Sequence, residues 1–263
     1  MRAVALALVA LVLPMAAFAA DGPGRLGPAA GLGACDPGSG AASFDRIAAC
    51  TDLIRVGGAS AALYVARASA YADSGDRPAA IADLSAAILL NPDAEAAYVL
   101  RGSLHLKDEA FRDGLVDLDR ALALAPNDEQ TLRTRAFAWD ELGAYPAAIV
   151  DYSALLALSG DDSYRYFRGF AYLKHGERGP ALADFEAIMT ASSPTLAAWG
   201  YRGRALAREQ AGEYAEALAD YTAALALDPS DDRAFTGRCR MEAAMGNWAS
   251  AGCTSAVRTG ALP

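Results

Sequence analysis

The chain has 263 residues, of which 54% are hydrophobic and 21% charged, and its formal net charge is −9. So acidic a surface excludes nucleic acid and anionic lipid as natural partners, and its main benefit is solubility. Two histidines and four cysteines leave few ways to build a metal or catalytic centre.

Residues 1–20, MRAVALALVALVLPMAAFAA, combine one Arg, an apolar run of about 11 residues and the small-x-small exit Ala17-Phe18-Ala19. This is the pattern of a secretory signal peptide cleaved after Ala19, too short and wrongly flanked for a membrane span. No Cys follows the cleavage point, so a lipid anchor is not expected, and no other apolar run is long enough to cross a bilayer. Loss of Arg2 takes the charge from −9 to −10, and the mature protein is expected to be soluble and exported, in the periplasm or outside the cell. Residues 20–42 are mostly Gly, Pro and Ala and read as a flexible leader. Residues 43–58 read as an N-terminal capping helix.

From residue 61 the chain repeats itself. DLSAAILLNPD at 83–93 returns as DLDRALALAPND at 117–128 and DYTAALALDPSD at 220–231. Upstream of these, an Arg followed by a small residue recurs as RASAY, RGSLH, RAFAW, RGFAY, RGRAL and RCRME, the arginines being 34, 34, 33, 34 and 36 residues apart. Units are predicted near 61–94, 95–128, 129–161, 162–195, 196–231 and 232–260. Each holds two apolar-periodic segments rich in Ala, Leu and Arg, of helical rather than strand length. Pro78, Pro146 and Pro180 open second helices, where a missing N–H does no harm, and Pro92, Pro126 and Pro229 follow their ends.

These residues resemble the tetratricopeptide repeat family. The fifth unit supplies Gly203, Gly212, Tyr214, Ala217, Tyr221, Ala224 and Pro229, with two extra residues before the turn. The second unit departs at Gly114, the third has Gly160 for Pro and Leu155 for the late Ala, and the sixth lacks the late pattern. The resemblance covers roughly 200 residues. It implies an all-α, right-handed superhelix of about six helical hairpins behind the capping helix, in which each copy buries the apolar stripe of its neighbour. Small residues Ala68, Gly102, Ala136, Gly169 and Gly203 are placed opposite Ala80, Gly114, Ala148, Ala181 and Ala217 so that paired helices approach closely.

Arg67, Arg101, Arg135, Arg168 and Arg202 share a register with Asp83, Asp117, Asp151, Asp184 and Asp220. One-to-one partnership suits internal pairing that fixes the stacking better than it suits a row of ligand-binding charges. In the sixth unit Arg238 remains, with Thr254 near the Asp place.

Four cysteines in an exported chain suggest disulfides. Three pairings are formally possible; proximity favours Cys35 with Cys50 and Cys239 with Cys253. The segments AACTDLIRVGGA at 48–59 and AGCTSAVRTGAL at 251–262 echo each other, so each bridge is expected to staple one end of the stack, although Cys253 stands about two residues too early for the register of Cys50. Neither a Cys-x-x-Cys nor a His cluster supports zinc, and no cofactor is expected.

No catalytic constellation is found, so the chain is read as non-enzymatic. His105 falls where Tyr71, Trp139 and Tyr172 stand, a packing position, and His175 abuts Gly176. The resemblance implies instead a concave wall of first helices that receives a peptide or protein. Carried onto this chain, that wall holds Val65, Ser69 and Asp73, then Val99, Ser103 and Lys107, then Arg133, Phe137 and Asp140. It continues with Tyr166, Phe170 and Lys174, then Gly200, Arg204 and Arg208, then Thr236 and Arg240. Tyr166, Phe170 and Phe137 are expected to form an apolar pocket unless they pack on the neighbouring unit, and Arg204, Arg208 and Arg240 to draw in an acidic segment. The Lys and Asn arrangement with which some relatives hold a terminal carboxylate is not matched. The favoured reading is a monomeric envelope scaffold; the other is a structural protein that self-associates end to end.

Overall fold

The computed structural model of the protein describes residues 33–247 and Cys253. Residues 1–32, including the signal segment, lie outside the described residues, as do Thr254 and nearly all of the last helix expected in the sixth unit.

Twelve α-helices and no strand are found among the described residues. They are α1 (Ser43–Gly57), α2 (Ala61–Ser74), α3 (Arg77–Leu90), α4 (Glu95–Lys107), α5 (Phe111–Leu124) and α6 (Glu129–Glu141), followed by α7 (Tyr145–Ser159), α8 (Ser163–His175), α9 (Arg178–Met189), α10 (Pro194–Gln210), α11 (Tyr214–Leu227) and α12 (Asp232–Ala244). Local chemistry sets the boundaries. The side chains of Ser60, Asp76, Asp128, Ser193 and Asp231 accept hydrogen bonds from first-turn amides of the helices they precede. Gly75 and Gly176 end α2 and α8 at φ 87° and 90°, a left-handed conformation that favours Gly.

Each helix packs on the next in sequence, giving hairpins α2/α3, α4/α5, α6/α7, α8/α9 and α10/α11, with α12 opening a sixth. First helices of neighbouring hairpins approach one another more closely than second helices do, so the row curves around the first helices. The core runs along the row as successive clusters centred on Leu84, Tyr152, Phe185 and Tyr221, all of them buried. No helix among the described residues is long and apolar enough to cross a membrane.

The arginine ladder stitches this row together. Arg67, Arg101, Arg135, Arg168 and Arg204 each donate two hydrogen bonds to an aspartate 16 residues later, at 2.7–2.9 Å. The same guanidinium reaches back to the preceding helix, to Thr51, Ser85, Asp119, Ser153 or Glu186, at 2.7–3.3 Å. A planar guanidinium has enough donors to hold both partners at once. The aspartates are only 2–7% exposed, so these are buried ion pairs fixing one hairpin on the last.

The fifth pair corrects the sequence-based assignment, which gave that rung to Arg202. Arg204 pairs with Asp220, because the two extra residues enter at the start of α10 rather than before the turn, and the hairpin from residue 198 onward is regular. Arg202 pairs instead with Asp231 and with the Tyr166 hydroxyl. The glycines follow suit. A Cβ on Gly203 would stand 2.4 Å from the Phe185 ring of the preceding hairpin, so Gly203 accommodates Phe185 and not Ala217. A double-mutant cycle on unfolding free energy checks the register: Arg204→Ala and Asp220→Ala are expected to couple by more than about 1 kcal/mol, and Arg202→Ala and Asp220→Ala by much less.

At the N-terminal end, α1 takes the place of a second helix that has no first helix. Thr51 meets Arg67 as Ser85 meets Arg101. Arg46, where hairpins carry a small residue such as Ala80, fills the space of the missing helix by reaching Asp73 (2.6 Å) and Ser69 (3.2 Å). Part of the segment read as a flexible leader is ordered, because Gly33–Cys35 and Pro37–Ser39 form 3-10 turns held by a Cys35–Cys50 disulfide. Cys239 and Cys253 form the second disulfide. In the chain-entropy picture, a crosslink closing a loop of this length contributes about 3 kcal/mol. Replacing Cys35 and Cys50 by Ser is therefore expected to free α1 first, seen as loss of amide exchange protection in 43–57 before the rest of the row.

Candidate functional site

On the inner side of the central hairpins, side chains of successive first helices meet one another and the second-helix rings Tyr152 and Phe185 behind them. Tyr166 and Phe170, one turn apart on α8, stand 4.7 Å apart edge to face. Phe137 on α6 joins them through Phe167, which lies 5.3 Å from Phe137 and 5.6 Å from Tyr166. Trp199 on α10 extends the strip, 5.1 Å from Tyr166. These side chains are not equally available. Tyr166 is buried against Phe185 and Trp199, whereas Phe137, Phe167, Phe170 and Trp199 are half-buried and keep an edge to solvent.

The charges around the strip are already matched. Lys174 is bonded to Asp140 at 3.0 Å, Arg240 to Glu209 at 2.9 Å, and Arg133 to Gln130 on its own helix. Glu209 also accepts from the Tyr221 hydroxyl at 2.7 Å. Arg202 lies over the Tyr166 ring while bonded to its hydroxyl and to Asp231. Burial pulls its guanidinium down, yet Tyr166 and Asp231 together hold it above its ordinary value. On the flank, the Tyr164 hydroxyl donates to Glu129 at 2.9 Å, and burial followed by that bond pushes it up to about 12.

The structure therefore brings together Phe137, Tyr166 and Phe170, but not the basic end expected beside them. Arg204 and Arg208 both bind Asp220, at 2.8 Å each, and Arg204 also binds Glu186. The two-residue shift in α10 puts Arg202, Leu206 and Gln210 in the places the sequence reading gave to Gly200, Arg204 and Arg208. Arg240 is on the inner side but is engaged by Glu209. The missed wall residues Trp199, Arg202, Leu206 and Glu209 had a signal in the sequence: four Arg–Asp pairs are separated by 16 residues, a spacing Arg204 keeps and Arg202 does not. His105, half-buried, stands 4.0 Å from the Asp117 carboxylate, and His175 is exposed beside Glu177. Neither meets a nucleophile.

A curved row of stacked helical hairpins with a half-exposed aromatic strip on its inner side defines an α-solenoid of the scaffold class. Residues 61–94 and 198–231 each match the tetratricopeptide repeat, the second match beginning where the corrected register of α10 requires. The chain carries tetratricopeptide repeats, and proteins of this fold serve generally as scaffolds for protein–protein interaction.

Among solved structures, the chain is similar to a tetratricopeptide repeat protein from Parabacteroides merdae ATCC 43184, at 23% identity and a TM-score of 0.63, over 71% of this chain and 74% of that one. It is also similar to YrrB, described as a TPR protein with an unusual peptide-binding site, at 18% identity and 0.61, over 71% and 95%. A third is PilW, described as a widely conserved type IV pilus biogenesis factor, at 16% identity and 0.57, over 74% and 89%. No curated protein matches the chain. The two disulfides fit an oxidising, exported environment.

Proposed function

We propose that this chain is a non-enzymatic scaffold of the cell envelope, exported by residues 1–19, that holds a segment of another protein against the inner face of α6, α8 and α10. The observation that carries this reading is the strip Phe137–Phe167–Phe170–Trp199, four half-exposed aromatic side chains contributed by three successive first helices and linked ring to ring through one another and Tyr166. Aromatic anchors surrounded by neutralised polar groups are the usual centre of a protein-binding surface. Because Arg204, Arg208 and Arg240 have carboxylate partners of their own, an acidic segment gains little from them and meets a chain of net charge −9. The partner segment is accordingly apolar or aromatic and not acidic. The peptide site in the printed description of YrrB and the pilus role in that of PilW are in keeping with a scaffold, without identifying the partner.

End-to-end self-association is disfavoured, since α1 and the Cys35–Cys50 bridge cover the first hairpin. The test is a titration that follows Trp199 fluorescence with neutral and acidic versions of aromatic peptides. Phe170→Ala is expected to weaken binding about tenfold. Acidic residues in the peptide are expected to bring no gain. Equal affinity for wild type and Phe170→Ala would remove the inner face from the account, and crosslinked capture from the native envelope would then locate the surface used.

A further inference from the structure

The aromatic strip carries information about the shape of what it holds. Its rings follow one another at 5.3 Å (Phe137 to Phe167), 5.6 Å (Phe167 to Tyr166) and 5.1 Å (Tyr166 to Trp199), crossing from α6 through α8 to α10. Side chains one turn apart on an α-helix stand about 5–6 Å apart, whereas same-face residues of an extended strand are about 7 Å apart. Rings at the helical spacing leave furrows that the side-chain ridges of another helix fit. The polar groups beside the rings point the same way. The Tyr166 hydroxyl is taken by Arg202, Asp140 is held by Lys174 at 3.0 Å, and Glu209 by Arg240 at 2.9 Å. What the strip has left over is donors. The Trp199 indole N–H and the Gln130 amide N–H groups make no hydrogen bond among the described residues. Arg133, one turn before Phe137 on the same face of α6, makes a single one, to the Gln130 side-chain oxygen, and has no carboxylate partner among those residues.

We infer that the segment held on the inner face is an amphipathic α-helix, its apolar stripe on the aromatic strip and its C-terminal end beside Arg133 and Gln130. This rests on the inner-face reading above and adds the form and direction of the bound segment. An extended segment presents N–H and C=O groups along its whole length, and burying them without partners is costly. Ring carbon and donors answer only half of that need, since the carboxylates nearby are already engaged. A helix satisfies its own main chain except at its ends, where the last four carbonyls call for donors. Arg133 and Gln130 stand ready to supply them, on one turn of α6. The partial negative charge at a helix C-terminus also complements a guanidinium that lacks a carboxylate of its own. Arg133 is thereby used without any acidic residue in the partner, in keeping with the apolar segment proposed above. The direction follows: the bound helix runs from α10 toward α6.

The test is calorimetric titration of the disulfide-bonded chain with two neutral, C-terminally amidated peptides of one composition. The first carries Leu and Phe one turn apart along a side-chain-stapled helix; the second carries them at alternate positions and has no helical stripe. The helical peptide is expected to bind at least about tenfold tighter than the alternating one. Phe170→Ala is expected to weaken it about tenfold and Arg133→Gln about fivefold, while Arg133→Gln leaves the alternating peptide unaffected. An unstapled, carbon-13-labelled copy of the first peptide should show helical Cα shifts only when bound. Failure of the helical peptide to bind, or tighter binding of the alternating peptide that still depends on Phe170, overturns the helical form; the second result leaves the inner-face reading standing. Indifference of both peptides to Phe170→Ala removes the inner face itself. A helical peptide indifferent to Arg133→Gln overturns the direction assigned to it.

Discussion

Replacing Arg135 by Ala is expected to lower unfolding free energy by about 3 kcal/mol or more. The pair is a poor source of net stability as it stands, since taking two charges out of water offsets much of their attraction, but removing one member leaves the other stranded. Asp151 is 2% exposed and takes its two guanidinium bonds, at 2.9 and 2.7 Å, from Arg135. Without them a carboxylate faces the cluster around Tyr152 with no matching donor. The same substitution unties Asp119 on the preceding hairpin, so the damage falls on the α5–α6 contact as well as on α6/α7. Arg135→Lys should recover only part of the loss, because a single ammonium cannot replace a forked guanidinium that holds two partners. The control is Arg55→Ala: that pair with Asp52 is 73% and 70% exposed, and its loss should be undetectable. Denaturant unfolding measures all three. Should Arg135→Ala and Arg55→Ala prove alike, the ladder is decoration on a row held by its apolar core alone.

Phe185→Ala is expected to cost about 4 kcal/mol, the upper part of the range for losing a buried aromatic. Phe185 is fully buried between α8 and α10, and three glycines make room for it. A Cβ on Gly169 would meet its ring at 2.7 Å and one on Gly203 at 2.4 Å, while one on Gly200 would meet its backbone carbonyl at 2.7 Å. With the ring gone, those glycines have nothing to offer the cavity, so collapse is poor. Gly203→Ala alone is expected to destabilise despite the better helix propensity of Ala, because the displaced ring has no free volume to enter. In the Phe185→Ala background the same change should turn neutral or stabilising. That reversal of sign is the decisive reading, and additive effects would mean that glycine and ring do not share one space. Because solenoid units are coupled mainly to their neighbours, amide exchange should place the loss at the junction of the fourth and fifth hairpins.

Much of this architecture is legible in the sequence because periodicity is local information. A small residue, an Arg, a turn Gly and an Asp recurring at a fixed interval define a hairpin whatever surrounds it, and the same spacing that reveals the repeat carries the ladder. The fifth unit shows where such reading slips. RGRAL offers two arginines, and resemblance to the other copies favoured Arg202, the one followed by Gly; the constant separation from Asp to Arg would have chosen Arg204. The aromatic cluster of Phe137, Tyr166 and Phe170 was foreseen as a set, yet how much of each ring is exposed depends on Phe167, Phe185 and Trp199 from three helices. The basic end of the groove failed for the same reason. A list of arginines does not say which carboxylates lie within reach.

The sequence by itself determined that this chain is a row of helical hairpins, with closely approaching helices, internally paired charges and cysteines at both ends, since each of these follows from residues within one or two repeats. Only the tertiary structure decided which arginine completes each clasp and which aromatic edges remain open. Those properties arise where helices from different repeats meet, and a two-residue offset on α10 is enough to turn a side chain from the groove to the core.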